Sequence, residues 1–255
     1  MKQGRIVWNG GIHHVRPGPD GTVVLADGRQ LSEQDVQWLP PVEPRTVFAL
    51  GLNYADHARE LDFTPPSEPV AFIKPAGTVI GHRTITRRPA DVTFMHYECE
   101  LAVVIGKTAY RVSKADALDY VAGYTVANDY AIRDYLENYY RPNLRVKGRD
   151  NCTPMGPWLV SRDAIRDPGN LRLQTRVNGV VTQEGTTADL IFDVPTLIEW
   201  LSSFMTLSPG DVILTGTPKG SVDVKAGDVV ETEVEGLGIL VNTIVSDEQY
   251  FASKQ

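Results

Sequence analysis

Apolar runs of strand length, separated by glycine, proline and asparagine, follow one another along the whole chain, and this spacing predicts a β-rich fold with few helices. Across residues 1–45 the runs break at Asn9-Gly10-Gly11, Pro17-Gly18-Pro19-Asp20-Gly21 and Asp27-Gly28, which are hairpin signals. We read a small β-rich N-terminal unit there, closed by Leu39-Pro40-Pro41-Val42-Glu43-Pro44, and a main domain over residues 46–255. His13 and His14 are adjacent, so in a strand they face opposite ways, and surface or packing roles suit both.

In the main domain, Thr46-Val47-Phe48-Ala49-Leu50 predicts a strand ending at Gly51, with Asn53 as the cap of a helix that starts at Tyr54. The proline-rich residues 63–69 predict a loop that could serve as a lid, and Val70-Ala71-Phe72-Ile73-Lys74 another strand. Residues 131–140 predict a short helix broken at Pro142. Arg145-Val146-Lys147-Gly148-Arg149 predicts an extended segment that projects Arg145, Lys147 and Arg149 together. Asn178-Gly179 lies between two strand-like runs as a hairpin turn, and residues 194–204, with an early proline, predict a helix packed across the sheet.

Strand periodicity gives His96-Tyr97-Glu98-Cys99-Glu100 its chemical interest. Side chains alternate along a strand, so Glu98 and Glu100 share one face while Tyr97, Cys99 and Leu101 take the other. Two carboxylates held a two-residue step apart repel unless a cation lies between them, and all-oxygen ligation suits a hard ion such as magnesium or manganese. Asp129 ends a further apolar run and could supply a third oxygen from a neighbouring strand. The spacing alone also fits two carboxylates on the solvated face of an edge strand. His57 and Glu60 share a helix face at i, i+3, where a carboxylate can fix the imidazole tautomer and leave the other nitrogen to act as a base; an exposed pair without function fits equally.

The formal net charge of −7 disfavours binding to nucleic acid, which makes the cluster Arg133, Arg141, Arg145, Lys147 and Arg149 stand out against Asp134 and Glu137. That excess could receive a small anion or be a solvated basic edge. Asp211-Val212-Ile213-Leu214-Thr215-Gly216-Thr217-Pro218-Lys219-Gly220 lacks the glycine spacing of a phosphate loop and reads better as a strand ending in a turn whose amides and Thr217 hydroxyl could bind a carboxylate. With 42% hydrophobic and 22% charged residues the chain is an ordinary globular protein. No apolar stretch approaches the ~20 residues of a membrane helix and the N-terminus opens no signal-peptide pattern, so a cytoplasmic protein without membrane contact is expected. Cys99 and Cys152 form no CxxC pair, which argues against thiol redox chemistry or structural zinc.

Taken together, Gly51-Leu52-Asn53-Tyr54-Ala55-Asp56-His57, Tyr97-Glu98-Cys99-Glu100-Leu101, Asn128-Asp129 with Arg133-Asp134, Lys147 with Asp150, Pro154 and Gly156-Pro157-Trp158, and Leu214-Thr215-Gly216-Thr217-Pro218 resemble the fumarylacetoacetate hydrolase family over residues 46–245. The resemblance implies an α+β fold, a β-rich mixed sheet roll that is usually dimeric. It also implies that Glu98, Glu100 and Asp129 ligate magnesium, with manganese as an alternative, and that Lys147 binds nearby. His57 and Glu60 would form an acid/base dyad and Thr217 would contact a substrate carboxylate.

Within the family, the run from Asp129 to Lys147 is similar to that of homoprotocatechuate-pathway isomerase/decarboxylases, which act on 5-oxopent-3-ene-1,2,5-tricarboxylate and 2-hydroxyhepta-2,4-diene-1,7-dioate; Ala131 stands where many relatives have Thr. This implies a magnesium-dependent decarboxylase, isomerase or both, acting on a small anionic 2-oxo acid in 4-hydroxyphenylacetate catabolism. An acylpyruvate-type carbon–carbon hydrolase or an oxaloacetate decarboxylase of the same family is the alternative. Bifunctional relatives are two fused copies where this chain holds one, so a homodimer or a pairing with a second family subunit is expected. Arg141 and Arg145 are the expected partners of the substrate's distal carboxylate.

Overall fold

The computed structural model describes residues 1–60, 64–136 and 144–252. Two sheets dominate it. The larger runs from the N-terminal strands through Lys2–Trp8 to Thr153–Ser161, Val121–Asn128, Cys99–Ile105, Val212–Leu214 and Val47–Gly51, and ends at Val70–Lys74. The smaller orders Val180–Thr186, Arg172–Val177, Val229–Val234, Gly238–Ser246 and Thr84–Arg88. No helix among the described residues is long and apolar enough to cross a membrane.

The N-terminal hairpins form where the turn residues place them: Lys2–Trp8 pairs with Gly11–Pro17 around Asn9 and Gly10, both at positive φ. Lys2 and Gln3 also pair with Val160 and Leu159, so these strands extend the main sheet. Trp38 sits at this seam, its ring edge-on to His82 and Trp158 with centroids 5.1 and 5.2 Å apart. His13 packs edge-on against Trp8, and His14 is exposed.

Cys99–Ile105 is buried along its whole length, which is why it reads as an almost unbroken apolar run. Its Cys99, Leu101, Val103 and Ile105 share a cluster with Leu197, Ile198 and Leu201 of the helix Val194–Phe204. Ala102 and Val104 enter a second cluster with Val47, Ala49 and Leu214, and Glu100 lies on this second face by alternation. The helix Val194–Phe204 begins where Asp193 accepts the Thr196 N–H at 2.9 Å and has a proline in its first turn. Asn178 and Gly179 turn the strands Arg172–Val177 and Val180–Thr186 back on each other, both at positive φ.

Three local expectations are corrected. The helix after Gly51 is Ala55–Glu60, and Asn53 does not cap it. The buried Asn53 amide instead donates to the Phe192 and Thr215 carbonyls at 3.1 and 2.8 Å and accepts the Phe192 N–H at 2.9 Å, pairing backbone groups that burial would leave orphaned. No helix forms over residues 131–136: Ala131–Ile132 pairs with Met95–His96, and Arg133–Tyr135 is one 3-10 turn. The Asp134 carboxylate, bonded to the Thr93 and Phe94 amides, holds this segment against its neighbour and overrides the helical pattern. Leu144–Lys147 is a helical turn rather than an extended segment, so Arg145 is exposed while Lys147 is buried among carboxylates. In the loop predicted for residues 63–69, residues 64–69 carry no regular structure and Phe63 lies outside the described residues.

Candidate active site

The register of two antiparallel strands assembles the site. Cys99 stands opposite Asn128 and Glu100 opposite Ala127, so Glu98, just before one strand, meets Asp129, just after the other. The Asp129 N–H donates to the Glu98 carbonyl at 3.0 Å. The Asn128 side chain braces the junction, accepting the Glu98 N–H and donating to Thr232 Oγ1, each at 2.9 Å. Glu98, Glu100 and Asp129 are thereby buried with their ligand oxygens within 4.8 Å of one another.

Two buried lysines partly balance these charges. Lys147 Nζ donates to Glu98 Oε2 and, at 2.8 Å, to Asp129 Oδ2. Lys74 Nζ donates to Asp129 Oδ1 and to the Lys147 carbonyl. Sequence reading missed Lys74. The available signal was a cation ending an apolar strand, since a buried lysine needs a partner.

Burial alone would raise the Glu98 pKa, but the charges around it, that of Lys147 foremost, outweigh it and hold Glu98 at about 2. Glu100 goes the other way: burial, then the charges of Asp129 and Glu98, push it well above the ordinary carboxylate range. Burial opposes charge on Lys147 too, yet Asp129 and Glu98 keep it protonated far above neutral pH. Glu100 Oε2 accepts the Gly216 N–H at 2.6 Å, while Oε1 is buried without a hydrogen-bond partner. An all-oxygen triad with one orphaned oxygen and one carboxylate disfavoured as an anion fits a hard divalent cation.

The rim carries the other expected residues. His57, on the helix Ala55–Glu60, is buried, and its Nδ1 lies 3.0 Å from Glu60 Oε2. The Glu60 carboxylate also accepts the Gly220 N–H at 3.1 Å, tying this helix to the turn after Val212–Leu214. Nε2 of His57 has no hydrogen-bond partner among the described residues. Thr217 is buried, and its hydroxyl accepts from Gln183 Nε2 at 3.0 Å. Of the turn amides expected to receive a substrate carboxylate, those of Gly216 and Gly220 are engaged by Glu100 and Glu60.

The basic cluster is divided. Arg145 is exposed, its guanidinium carbon 4.0 Å above the Tyr135 ring, with Arg149 at 5.9 Å from the same ring. Arg141 lies outside the described residues. Arg133 is half-buried, and its Nε donates to His96 Nε2 at 2.8 Å. That bond requires His96 to carry its proton on Nδ1, which faces the Tyr97 carbonyl at 3.0 Å and stands 3.8 Å from Glu98 Oε1. Burial, with Arg133 adding to it and Glu98 opposing, lowers the His96 pKa to about 4, so the ring is neutral. Sequence reading gave His96 no role, although it continues the two-residue spacing of Glu98 and Glu100. Cys99 and Cys152 are free and buried, with thiol pKa values raised by burial.

Residues 46–245 match the model of the fumarylacetoacetate (FAA) hydrolase C-terminal family. A 4-hydroxyphenylacetate degradation bifunctional isomerase/decarboxylase of Escherichia coli is 66% identical over 245 residues, which cover 92% of this chain and 57% of that protein. The chain therefore spans little more than half the length of that relative. A solved structure of 5-carboxymethyl-2-hydroxymuconate delta-isomerase from Mycobacterium smegmatis has a TM-score of 0.84 at 39% identity, covering 97% of this chain and 99% of that one. One of 2-hydroxyhepta-2,4-diene-1,7-dioate isomerase from Mycobacterium marinum has a TM-score of 0.83 at 36% identity, with the same coverage of both chains.

Proposed function

The chain belongs to the fumarylacetoacetate hydrolase C-terminal family, and from that premise we propose that it is a metal-dependent decarboxylase, isomerase or both, acting on 2-oxo or enol di- and tricarboxylates of 4-hydroxyphenylacetate catabolism. The observation that carries this reading is the buried Glu98, Glu100 and Asp129 triad with its orphaned Glu100 Oε1, set beside buried Lys147 and the His57–Glu60 pair. Magnesium or manganese held by these carboxylates would stabilise negative charge developing on the 2-oxo oxygen as carbon dioxide leaves or a proton moves, worth several kcal/mol.

The chain's own residues supply the rest. Glu60 holds Nδ1 of His57, leaving Nε2 to take up or return the proton that moves along the carbon chain. Lys147, kept protonated by Glu98 and Asp129, offers a proton and a positive charge next to the carboxylates. The Thr217 hydroxyl, which accepts from Gln183, keeps its own proton for a substrate carboxylate. Exposed Arg145 attracts the anionic substrate, and Arg141 is its partner in binding the distal carboxylate. A homodimer, or a pair with a second family subunit, working in the cytoplasm completes the reading.

Chelator-treated protein given 5-oxopent-3-ene-1,2,5-tricarboxylate should release little carbon dioxide, and added magnesium or manganese should restore release or the isomerisation of 2-hydroxyhepta-2,4-diene-1,7-dioate. Full turnover without metal would overturn the proposal. The His57–Glu60 pair also suits the activation of water, which favours an acylpyruvate-type hydrolase as the second reading. That enzyme would release pyruvate in place of carbon dioxide.

A further inference from the structure

The strand Val180–Thr186 of the smaller sheet reaches the larger one at the turn after Val212–Leu214, and two of its neighbouring residues hold that turn. Thr182 Oγ1 lies 2.6 Å from the Tyr97 hydroxyl, which itself stands 3.2 Å from the Gly220 carbonyl oxygen. Gln183 is buried, and its Nε2 donates to the Pro218 carbonyl at 2.7 Å and to Thr217 Oγ1 at 3.0 Å, with Ser221 Oγ at 3.4 Å. A Cβ at Gly185 would stand 2.5 Å from Pro218 Cγ, so the strand needs glycine there to lie this close to the turn.

Chemistry fixes the direction of these bonds. A carbonyl oxygen only accepts, so the atom 2.7 Å from the Pro218 oxygen has to be the amide nitrogen of Gln183. The amide oxygen is left to Thr175, whose hydroxyl donates to it at 3.1 Å. The second hydrogen of the nitrogen goes to Thr217 Oγ1. A hydroxyl has one hydrogen, and a hydroxyl that accepts from Gln183 sends its own elsewhere. Thr217 directly follows Gly216, whose N–H reaches Glu100, so this hydroxyl belongs to the same turn that touches the carboxylate triad.

We propose that Gln183 is a positioning residue: it makes the Thr217 hydroxyl a donor by occupying its acceptor side, and so aims that hydrogen at a carboxylate of the substrate. This rests on the reading of the protein as an enzyme of 2-oxo acids in which Thr217 meets a substrate carboxylate. The strand that carries Gln183 also braces the turn whose Gly220 amide holds Glu60. The smaller sheet, which carries none of the three carboxylates, thus sets the hydrogen-bond polarity of the substrate side.

The test compares the wild type with Thr217→Val, Gln183→Met, Gln183→Glu and the double variant Thr217→Val/Gln183→Met. With magnesium present, calorimetric binding of 2-oxoheptanedioate is measured alongside steady-state rates on 2-hydroxyhepta-2,4-diene-1,7-dioate. Thr217→Val should weaken binding and raise KM about tenfold to a hundredfold, the loss of one hydrogen bond to a charged group, and leave kcat within about threefold. Gln183→Met removes the donor and keeps the length, and should cost about threefold to tenfold in KM. Gln183→Glu should cost as much as Thr217→Val despite its closer shape, because a carboxylate takes the Thr217 hydrogen for itself. In the Thr217→Val background Gln183→Met should cost no more than about twofold, since the residue it acts through is gone. Should Gln183→Met not fold, Gln183→Leu takes its place in both backgrounds. Equal losses in the two backgrounds overturn the inference, as does Gln183→Glu binding the diacid better than Gln183→Met. A wild type that binds the diacid with the expected losses but never turns over the enol diacid defeats the enzyme reading and upholds the role of Gln183. A wild type that turns over the enol diacid and loses nothing in Thr217→Val defeats the inference alone, and one that binds no diacid defeats both.

Discussion

The interior of the site hangs from strands paired along their length, whereas its rim rests on single turns. Glu98, Glu100 and Asp129 take their positions from the register of Cys99–Ile105 against Val121–Asn128, with Lys74 reaching in from the end of a further strand. His57 and Glu60 sit on a helix of six residues and Lys147 and Arg145 on one of four, lengths that are not stable alone. Individual contacts hold these turns: Glu60 to the Gly220 amide, Arg145 to the Tyr135 ring, Lys147 to the carboxylates. The three carboxylates are fixed by the fold, and the groups proposed to meet substrate are fixed by one or two bonds each. Substitutions inside should therefore remove function and leave the fold intact, while those at the rim should give graded losses.

The largest effect is expected from Glu100→Gln. Turnover should fall below detection, because the triad loses an anionic ligand. The metal-free variant should melt at or above the wild-type temperature, because the amide relieves the repulsion that raises the Glu100 pKa. Rate assays with thermal melts in chelator-treated buffer check both, and a variant that melts far lower would mean that Glu100 holds the fold. At the rim, His57→Ala should lower the rate about 10²–10⁴-fold without moving the melting point, and Glu60→Gln should lose less because the ring remains in place. A loss under about tenfold would remove His57 from proton transfer.

The smallest effect sharpens the comparison from outside the site. Burial, with some help from Arg83, lowers the His82 pKa from 6.5 to about 3, while its Nδ1 accepts the Val241 N–H at 3.0 Å. The folded protein binds this proton less readily than the unfolded chain, so the contribution is complete above pH 6.5 and is lost as pH falls towards 3. By pH 5 about 2 kcal/mol should be gone, since one pKa unit is worth about 1.4 kcal/mol. Denaturant unfolding at pH 7 and pH 5 measures it. His82→Gln should flatten the slope without abolishing it, because His96 adds a loss of the same sign. An unchanged slope would place the acid sensitivity elsewhere, in the carboxylates themselves.

Much of the interior was legible in the sequence because period-two alternation is a local rule: Glu98 and Glu100 share a face whatever the strand pairs with. The i, i+3 spacing likewise brings His57 to Glu60. Lys74 was not legible, because its partner is 55 residues away and no local pattern joins a lysine to an aspartate at that distance. Residues 131–149 failed differently. Their pattern favoured a helix and then an extended segment, but Asp134 bonded to Thr93 and Phe94, and Lys147 drawn to Glu98 and Asp129, fix the described parts otherwise. A carboxylate bonded to two amides, and a buried ion pair, outweigh propensities worth a few tenths of a kcal/mol per residue.

Asn53 carries one more consequence, for the order of events in time. Its side chain fastens Phe192 and Thr215, which lie 139 and 162 residues further along the chain. Closing loops of that length costs chain entropy that only a nearly complete structure offsets, so this clamp belongs to the last stage of folding. Contacts absent from a folding transition state act on the rate of opening, not of formation. Asn53→Ala is therefore expected to speed the opening of the turn around Thr215–Thr217 and to leave the folding rate nearly unchanged, which stopped-flow unfolding and refolding would check.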